Sequence, residues 1–480
     1  MKLLGRLEKK YESWFIIGIL LLFFLLRMPS LFEPNWYGDE GIYQVLGSGM
    51  SHGRLLYRDI WDNKPPLLYT TYSLLSSDQF NVRAFSLIVG LLSVAAFFFL
   101  AKKIIPGHIP IILTTLFAIL FAMPLLEGNI ANSENFMMLP ILVAGLMVTS
   151  LKNQNNSRSY AIIGGLLSIA FLFKVVGIFD FAAFTTFLFI TTYKTKKYLF
   201  SQTASFLPLI LAFSTPIIGT ALFFLLNNAF SDFINATLAQ NVGYVGYGNT
   251  FIFPHSLLIL KLIILGTVVC LLFWKRKHMD HETLFIFLWF SFSLFNALFS
   301  QRPYTHYLLV LLPAFLLLIG LAMRKKDITI GAVILGTIFL IKTNFNMYHK
   351  TFSYYQNFMS YVRNEKSISM YQDFFDKNTP KDYAIAQFLK NHMDQKDQLF
   401  IWGNDAQVYI LTHKLPPGKF TVAYHMNATS ETLKETFDAL KKTKPKYIVV
   451  SSSHNPLPFF LNDYKTRFVI SDALIYEHIF

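Results

Sequence analysis

Long apolar segments, separated by short polar connections, fill the first two thirds of the chain. As a helix, such a segment is long enough to cross about 30 Å of hydrocarbon. The pattern predicts about eleven transmembrane helices, of which the fifth and sixth are poorly separated. They are expected near 13–28, 84–101, 109–126, 135–151, 160–178, 179–193, 203–226, 255–274, 283–300, 308–323 and 328–344.

Composition supports a polytopic membrane protein. Of the 480 residues, 54% are hydrophobic and only 15% are charged, and the mean hydropathy is +0.43. Soluble globular chains rarely reach these values. The single cysteine, Cys270, lies in an apolar segment, which excludes a disulfide framework and a cysteine-based metal site.

The placement of the basic residues predicts the topology. A formal net charge of +14 would suit nucleic acid or anionic lipid, but lysine and arginine concentrate at the N-terminus and in every second connection. This alternation predicts a multi-pass protein of the cell membrane with a cytoplasmic N-terminus, an uncleaved first span and no nucleic-acid partner. The outer connections would be 35–81, 127–135, 227–254 and 301–307, and the tail would also lie outside.

The composition changes in the tail. Lysine, aspartate and asparagine become frequent, and helical patterns at 382–392 and 430–442 alternate with strand-like runs at 398–402 and 446–451. This alternation predicts a small α/β domain. We place its boundary near Asn346, which gives a transmembrane domain at 1–345 and an extracytoplasmic domain at 346–480.

The first outer connection carries adjacent carboxylates, Asp39 and Glu40, shortly after the first apolar segment. Charged groups close to hydrocarbon are costly unless they are paired, hydrated or used. A carboxylate there can take the proton from an attacking hydroxyl, which makes both acids candidate catalytic residues. A solvated loop acid or a cap for a helix starting at Gly41 is the structural alternative.

A second polar cluster follows in the same connection. Lys64 stands just before Pro65 and Pro66, which stiffen a turn back towards the membrane. A lysine there can bind a lipid phosphate as a point charge, or it can be an ordinary interfacial lysine. Arg58 is likewise either a candidate phosphate ligand or an ordinary interfacial residue. Tyr57 either contacts the substrate or is an interfacial aromatic.

Further candidates lie in later connections. Glu134 brings a second acid to the outer face and either acts there or caps a helix; together with Asp39 it could hold a divalent cation, although no spacing demands one. Arg302 and His306 stand beside Tyr304 and Tyr307. Guanidinium, imidazole and phenol groups suit a phosphate and a sugar ring, and an aromatic belt with one arginine is the alternative.

Two more features remain open from the sequence. Lys174 interrupts the fifth apolar segment, so we expect it to face a polar cavity or to lie close to the outer interface. The glycines and tyrosines of 241–249 suggest a flexible outer loop that gates or grips a substrate. Since no strand-to-helix context surrounds them, they do not form a dinucleotide fingerprint.

These residues resemble the GT-C membrane glycosyltransferases. The closest group is glycosyltransferase family 39, which includes protein O-mannosyltransferases and the bacterial aminoarabinose transferases of lipid A. The first outer connection is moderately specific, and the other matches are individually weak. The resemblance rests on Asp39-Glu40, Tyr57-Arg58-Asp59, Trp61 to Leu67, Asn132-Ser-Glu134, Phe173-Lys174, Arg302 with His306-Tyr307, and Leu399 to Asn404.

The resemblance implies transfer of a sugar from a polyprenyl-phosphate donor on the outer face, without a nucleotide and with inversion at the anomeric carbon. By position, Asp39 resembles the catalytic aspartate, Lys64 a ligand of the donor phosphate and Glu134 the second-loop acid. Arg302 and His306 would assist at the phosphate. Ile42 stands where the aminoarabinose enzymes have an arginine, so their acceptor chemistry need not transfer. The tail shows no β-trefoil pattern, which argues against the subgroup of the eukaryotic mannosyltransferases.

The sequence thus predicts a mainly α polytopic membrane protein of GT-C type with a C-terminal extracytoplasmic α/β domain. The predicted activity is transfer of a sugar to a hydroxyl of a lipid, glycan or protein, with no required cofactor and a divalent cation left open. Its site residues would converge on one outer site. The alternatives are a transporter or flippase of a lipid-linked sugar, and a noncatalytic scaffold whose outer domain binds a partner.

Overall fold

The computed structural model describes residues 2–151, 156–193, 205–241, 256–459 and 462–479. Within the described part of the first 344 residues it gives bounds for fourteen α helices. They are α1 (Lys2–Arg27), α2 (Gly38–Ser51), α3 (Pro66–Leu74), α4 (Gln79–Ile104), α5 (Ile109–Ala122), α6 (Ser133–Ser150), α7 (Ser157–Phe173), α8 (Ile178–Thr192), α9 (Leu207–Leu226), α10 (Phe230–Ile234), α11 (Ser256–Lys275), α12 (His281–Ala297), α13 (Leu312–Lys325) and α14 (Ile328–Asn344).

All of these helices except α2, α3 and α10 coincide with the eleven apolar segments of the sequence. Six stretches of the described chain are long and apolar enough to cross a membrane, and α5, α7 and α14 are shorter apolar helices. Lipid-facing side chains remain exposed on them, most clearly on the span Leu257–His278. The prediction of a mainly α, polytopic membrane protein is confirmed.

The break between the fifth and sixth spans is sharp. Helix α7 ends at Phe173, Lys174 is extended with φ −156° and ψ 130°, and a 3-10 turn at Val175–Gly177 leads into α8. Lys174 therefore lies in the connection between two helices and not within a continuous span. Hydropathy alone missed this break because both flanks are apolar.

By the density of their packing, the residues form two compact units. The first comprises Met1–Met28, Phe85–Leu226 and Thr237–Thr351, and the second comprises Pro29–Ala84, Asn227–Ala236 and Phe352–Phe480. The second unit therefore combines the first outer connection with the C-terminal part of the chain. The domain boundary placed near Asn346 stays a prediction.

Close packing of small and aromatic residues holds the first unit together. Helices α7 and α9 approach so closely at Gly164 that a Cβ there would lie 2.2 Å from the carbonyl oxygen of Leu209. Small residues permit such close approach of two backbones between membrane helices, where burial of apolar surface does not by itself favour association of the helices. Phe97 and Phe117 stack with their ring centroids 4.5 Å apart, which joins α4 to α5.

In the second unit, the C-terminal part contains six helices and four strands within its described residues. They are α15 (Thr351–Val362), α16 (Ile368–Asp373), α17 (Thr379–His392), β1 (Leu399–Trp402), α18 (Gln407–Leu411), α19 (Ala423–Met426), α20 (Ser430–Thr443), β2 (Tyr447–Val450), β3 (Tyr464–Ile470) and β4 (Ala473–His478).

The strands form one sheet in the order β1-β2-β4-β3, with β1 parallel to β2 and the other pairs antiparallel. Strands β1 and β2 are buried along their whole length, which is why they appear in the sequence as short continuous apolar runs. The two strands contribute four side chains to the hydrophobic core of this part: Phe400, Trp402, Ile448 and Val450. The predicted α/β character of the tail is confirmed.

Candidate active site

The predicted site residues fall into two clusters, one in each compact unit. We call them the Asp39 cluster, in the second unit, and the Glu134 cluster, in the first. The first brings Asp39 together with Lys64. The second brings Glu134 together with Lys174 and His306. The predicted convergence of all these residues on one site stays a prediction.

The two adjacent acids have different surroundings because successive residues of a helix point in different directions. Both lie in the first turn of α2, where a carboxylate is favoured by the helix dipole. The side chain of Asp39 is 41% exposed, whereas Glu40 is buried. The Oδ2 atom of Asp39 accepts a hydrogen bond from the hydroxyl of Tyr43 at 2.9 Å, one turn further along the helix.

Glu40 forms a buried ion pair with Arg83. The guanidinium donates through Nε to Glu40 Oε1 at 3.1 Å, and a second nitrogen pairs with the other oxygen. It also lies 2.9 Å from Glu33 and donates to the carbonyl oxygen of Ser30 at 2.6 Å. Buried charges need such complete pairing. These contacts fix the start of α2, and a catalytic role for Glu40 stays a prediction.

Lys64 lies between two carboxylates. Its Nζ atom is 3.5 Å from Asp39 Oδ2 and 3.7 Å from Asp62 Oδ2, and it lies 4.7 Å from the centre of the Tyr43 ring. The side chain is 19% exposed. An ammonium over an aromatic face is attracted to the ring quadrupole. Lys64 is therefore held by three groups and still reaches solvent.

Two tyrosines fix the backbone of Lys64. The hydroxyl of Tyr57 donates to the Lys64 carbonyl at 2.7 Å, and the Lys64 amide donates to the hydroxyl of Tyr69 at 3.2 Å. Pro66 then occupies the first position of α3, where a missing amide proton costs nothing. Burial raises the pKa of Tyr57 well above its usual value, so its hydroxyl keeps the proton that it donates.

Tyr57 and Arg58 have contacts that the sequence did not predict. Tyr57 is fully buried with a positive φ of 69°, an uncommon conformation for a bulky residue. Its hydroxyl donates to the Lys64 carbonyl and thereby supports the backbone of the lysine. Arg58 is half exposed and bound to its neighbour Asp59 at 2.8 Å, which lowers the pKa of that carboxyl. A phosphate-binding role for Arg58 stays a prediction.

The Glu134 cluster contains a buried ion pair. Glu134 lies in the first turn of α6, and its carboxylate pairs directly with Lys174. The N-cap of α6 is Asn132, so Glu134 does not cap the helix. The ammonium of Lys174 lies 4.4 Å from the centre of the Tyr307 ring. The side chains of Glu134 and Lys174 are 3% and 15% exposed, and their contacts explain how the chain tolerates a lysine beside apolar spans.

His306 joins two acids in this cluster. Its Nδ1 atom lies 2.9 Å from Glu127 Oε2, and its Nε2 atom lies 3.9 Å from Glu134 Oε1. The other oxygen of Glu127 accepts a hydrogen bond from Thr305 at 2.9 Å. Tyr304 stacks on the imidazole with 7° between the planes. Glu127, which has a left-handed backbone at φ 56°, was not among the predicted site residues, although it lies in the same outer connection as Glu134.

The remaining candidates have fewer described contacts. Arg302 is partly buried in the connection between α12 and α13. Of the predicted loop 241–249, only Asn241 is described, and the rest lies outside the described residues. Within the described ranges, no group of three or more histidine, cysteine or acidic side chains is arranged to hold a metal ion.

The fold matches that of a solved GT-C glycosyltransferase. The structure of ArnT from Cupriavidus metallidurans, bound to undecaprenyl phosphate, superposes with a TM-score of 0.55 at 13% sequence identity. The match covers 97% of this chain and 98% of that one. An oligosaccharyltransferase, AglB from Archaeoglobus fulgidus, also matches with a TM-score of 0.45 and 12% identity, over 92% of this chain and 70% of that chain. The chain therefore has the GT-C fold that its sequence predicted.

At the sequence level, a family model matches within the tail. Residues 381–467 match a family described as the C-terminal domain of the putative competence-induced protein Ccs4. No curated protein sequence matches the chain significantly.

Proposed function

We propose that the protein is an inverting glycosyltransferase that moves a sugar from a polyprenyl-phosphate donor to a hydroxyl acceptor. The observation that carries this proposal is the pairing of Asp39 with Lys64 on a GT-C fold. A partly exposed carboxylate stands 3.5 Å from an ammonium, which supplies a base and a phosphate ligand side by side. ArnT, which shares the fold, was crystallised with undecaprenyl phosphate.

The proposed reaction uses both groups. Asp39 orients the acceptor hydroxyl and takes its proton while the hydroxyl oxygen attacks the anomeric carbon in line. The bond between that carbon and the phosphate oxygen breaks, and the electron pair leaves with the polyprenyl phosphate. Lys64 neutralises the charge that develops on the phosphate, and this electrostatic contribution is usually the largest in such a site. No redox step or nucleotide is needed.

The Glu134 cluster fits recognition of an anionic, sugar-bearing substrate. Lys174 lies in the connection between α7 and α8, and Arg302 and His306 lie in the connection between α12 and α13. Because these side chains are cationic or can donate hydrogen bonds, we assign them to phosphate recognition. Glu134 and Glu127 hold Lys174 and His306 in place. Tyr304, whose ring is 47% exposed, and Tyr307 offer faces on which a sugar ring can stack.

The remaining features of the proposal concern location. We place the reaction on the outer face of the cell membrane, with a cytoplasmic N-terminus and the C-terminal part outside, because the positive charges alternate in this sense along the connections. The transmembrane part, 1–345, would carry the transferase and 346–480 would complete it. The acceptor is a hydroxyl of a lipid, glycan or protein.

A transfer assay tests the proposal. Purified protein in lipid nanodiscs is incubated with a panel of polyprenyl-phosphate sugars and hydroxyl acceptors, and the products are identified by mass spectrometry. We expect one donor to be consumed with release of polyprenyl phosphate and inversion of the anomeric centre. Asp39→Asn should abolish this release, whereas Asp373→Asn, an exposed aspartate of the same unit, should not. Full activity of Asp39→Asn would remove the proposed base.

The alternative is a flippase, for which the same groups would bind the donor without breaking it. Proteoliposomes that contain a fluorescent polyprenyl-phosphate sugar separate the two functions. Movement of intact donor between leaflets, without release of polyprenyl phosphate under any acceptor condition, would favour the flippase.

A further inference from the structure

Two carboxylates share the ammonium of Lys64. Its Nζ atom is 3.5 Å from Asp39 Oδ2 and 3.7 Å from Asp62 Oδ2. Direct charge-assisted bonds between an ammonium and a carboxylate are usually about 2.7–2.9 Å long. Lys64 thus makes one long hydrogen bond, to Asp39, and lies close to Asp62 as well.

The two acids differ in access and in support. The side chain of Asp39 is 41% exposed and that of Asp62 is 4% exposed. Asp62 Oδ2 accepts a hydrogen bond from the hydroxyl of Tyr69 at 2.7 Å, and burial raises the pKa of Tyr69 well above its usual value, so this hydroxyl remains a donor. Asp62 is therefore a fixed acid within the protein, whereas Asp39 is accessible to a substrate.

The C-terminal part of the chain supplies the support on the other side of Asp62. His425 Nε2, on α19, lies 3.9 Å from Asp62 Oδ1. The imidazole packs edge-on against Trp61 at 4.8 Å and is 8% exposed. Burial lowers the pKa of His425 to about 4, so the ring is neutral at physiological pH. It can orient the carboxylate but does not compete with Lys64 as a cation.

We propose that Asp62 is a positioning residue that keeps the contact between Lys64 and Asp39 long, and that the packing of His425 beside Asp62 keeps this acid in place. This inference rests on the proposed transferase function. Without the charge on Asp62, the ammonium would move onto Asp39, the remaining carboxylate, and would stabilise its ionised form. A carboxylate stabilised in this way is a weaker base. The titratable groups near the two acids include Lys64, Tyr43, Tyr72 and His425 at Asp39, and Lys64, Tyr43, Tyr57, Tyr69 and His425 at Asp62.

Asp62→Asn is the first test. We expect kcat to fall about tenfold or more while KM for the donor does not rise, because the variant removes a negative charge near the phosphate. The acidic limb of the profile of kcat/KM against pH should move to lower pH, since the base that must be deprotonated would hold its proton less tightly. A loss of folding would instead lower the yield of protein in size-exclusion chromatography.

Tyr69→Phe is the second test, and its expected sign is opposite. This variant removes the hydroxyl that donates a hydrogen bond to Asp62 Oδ2, which should strengthen the attraction of Asp62 for Lys64. Asp39 would then lose part of its counter-ion, and the acidic limb should move to higher pH. The two opposite shifts distinguish shared positioning from general damage, which moves both variants in the same way. The Tyr69 variant also keeps the inference testable should Asp62→Asn fail to fold.

His425 is tested with Phe and Gln. His425→Phe preserves a ring against Trp61 but removes the nitrogen that faces Asp62. We expect kcat to fall less than in Asp62→Asn, and the acidic limb of the pH profile to move in the same direction as in that variant. His425→Gln should restore part of the activity. His454→Phe is the matched control, because this histidine of the same unit is exposed.

The outcomes separate this inference from the proposed function. Absence of any transfer by the wild-type protein would contradict the proposed function itself. An active wild type with an inactive Asp39→Asn variant, together with unchanged kcat and pH profiles in Asp62→Asn and Tyr69→Phe, would overturn only the role given to Asp62.

Discussion

The two acid–lysine pairs of the protein have the same residue types and opposite environments. Asp39 and Lys64, in the second unit, are separated by 3.5 Å with side chains 41% and 19% exposed. Glu134 and Lys174, in the first unit, pair directly with side chains 3% and 15% exposed. In each pair the acid lies in the first turn of a helix. The exposure of the acid and the separation of the charges therefore distinguish a loose pair from a tight one.

The difference has a chemical consequence. A loose pair at a solvent-accessible position can release its lysine to a substrate anion and leave its carboxylate to accept a proton. A tight, buried pair that loses either partner leaves an uncompensated charge, which is strongly destabilising. We therefore expect substitutions in the Asp39 pair to change the reaction and substitutions in the Glu134 pair to change stability first.

The largest effect is expected for Asp39→Asn. General-base catalysis contributes about 10²–10⁴-fold, so turnover should fall by that factor. Asparagine keeps the size of the side chain, and the protein should still insert and bind donor. Steady-state kinetics together with a donor-binding measurement check this result. Turnover within a factor of three of the wild type would place the base elsewhere.

Lys174→Met should destabilise the protein more than any substitution in the Asp39 pair. Removal of one partner of a buried pair typically costs about 3–5 kcal/mol, which thermal unfolding in detergent micelles would report as a large fall in Tm. The double variant Glu134→Gln with Lys174→Met should recover much of the loss. Lys102→Met is the control, since its pair with Glu12 is partly exposed, at 46% and 29%, and exposed pairs contribute about 0–1 kcal/mol.

Lys64→Met should show the reverse profile. Its nearer partner Asp39 is exposed, but Lys64 also compensates the buried charge of Asp62, so we expect some loss of stability, smaller than that of Lys174→Met. Loss of the positive charge should weaken donor binding about tenfold or more and make the remaining binding less sensitive to salt. Titration with polyprenyl phosphate at two ionic strengths measures both effects. A stability loss as large as that of Lys174→Met would remove the distinction between the pairs.

The sequence predicted the features of these regions that depend on neighbouring residues. The eleven apolar segments predicted the eleven corresponding helices because spanning hydrocarbon is a local requirement on composition. The buried strands β1 and β2 were also visible as short apolar runs. The adjacency of Asp39 and Glu40 identified an unusual turn, but not that one acid is accessible and the other paired with Arg83.

Other features depended on residues far apart in the chain. Asp62 and His425 meet only because the first outer connection folds with the C-terminal part. Glu127 contacts His306 across a separation of 179 residues, and no local spacing indicates that contact. Strands β3 and β4 escaped prediction because β3 is largely exposed, so its residues do not form an apolar run. Long-range pairing of polar groups was the information that the sequence pattern lacked.

The smallest expected effect comes from Glu127→Gln, within the tighter cluster. Glu127 accepts from both Thr305 and His306, and an ionised acceptor makes a stronger hydrogen bond than a neutral amide. Loss of one such bond is worth about 1.5–3 kcal/mol, but glutamine still accepts, so we expect turnover to fall about three- to tenfold. Thr305→Val, which removes only the other hydrogen bond to Glu127, should lower turnover less than Glu127→Gln. Steady-state kinetics of both variants and the wild type measure the difference. An equal fall in both variants would mean that Glu127 supports the backbone of its connection and does not act through His306.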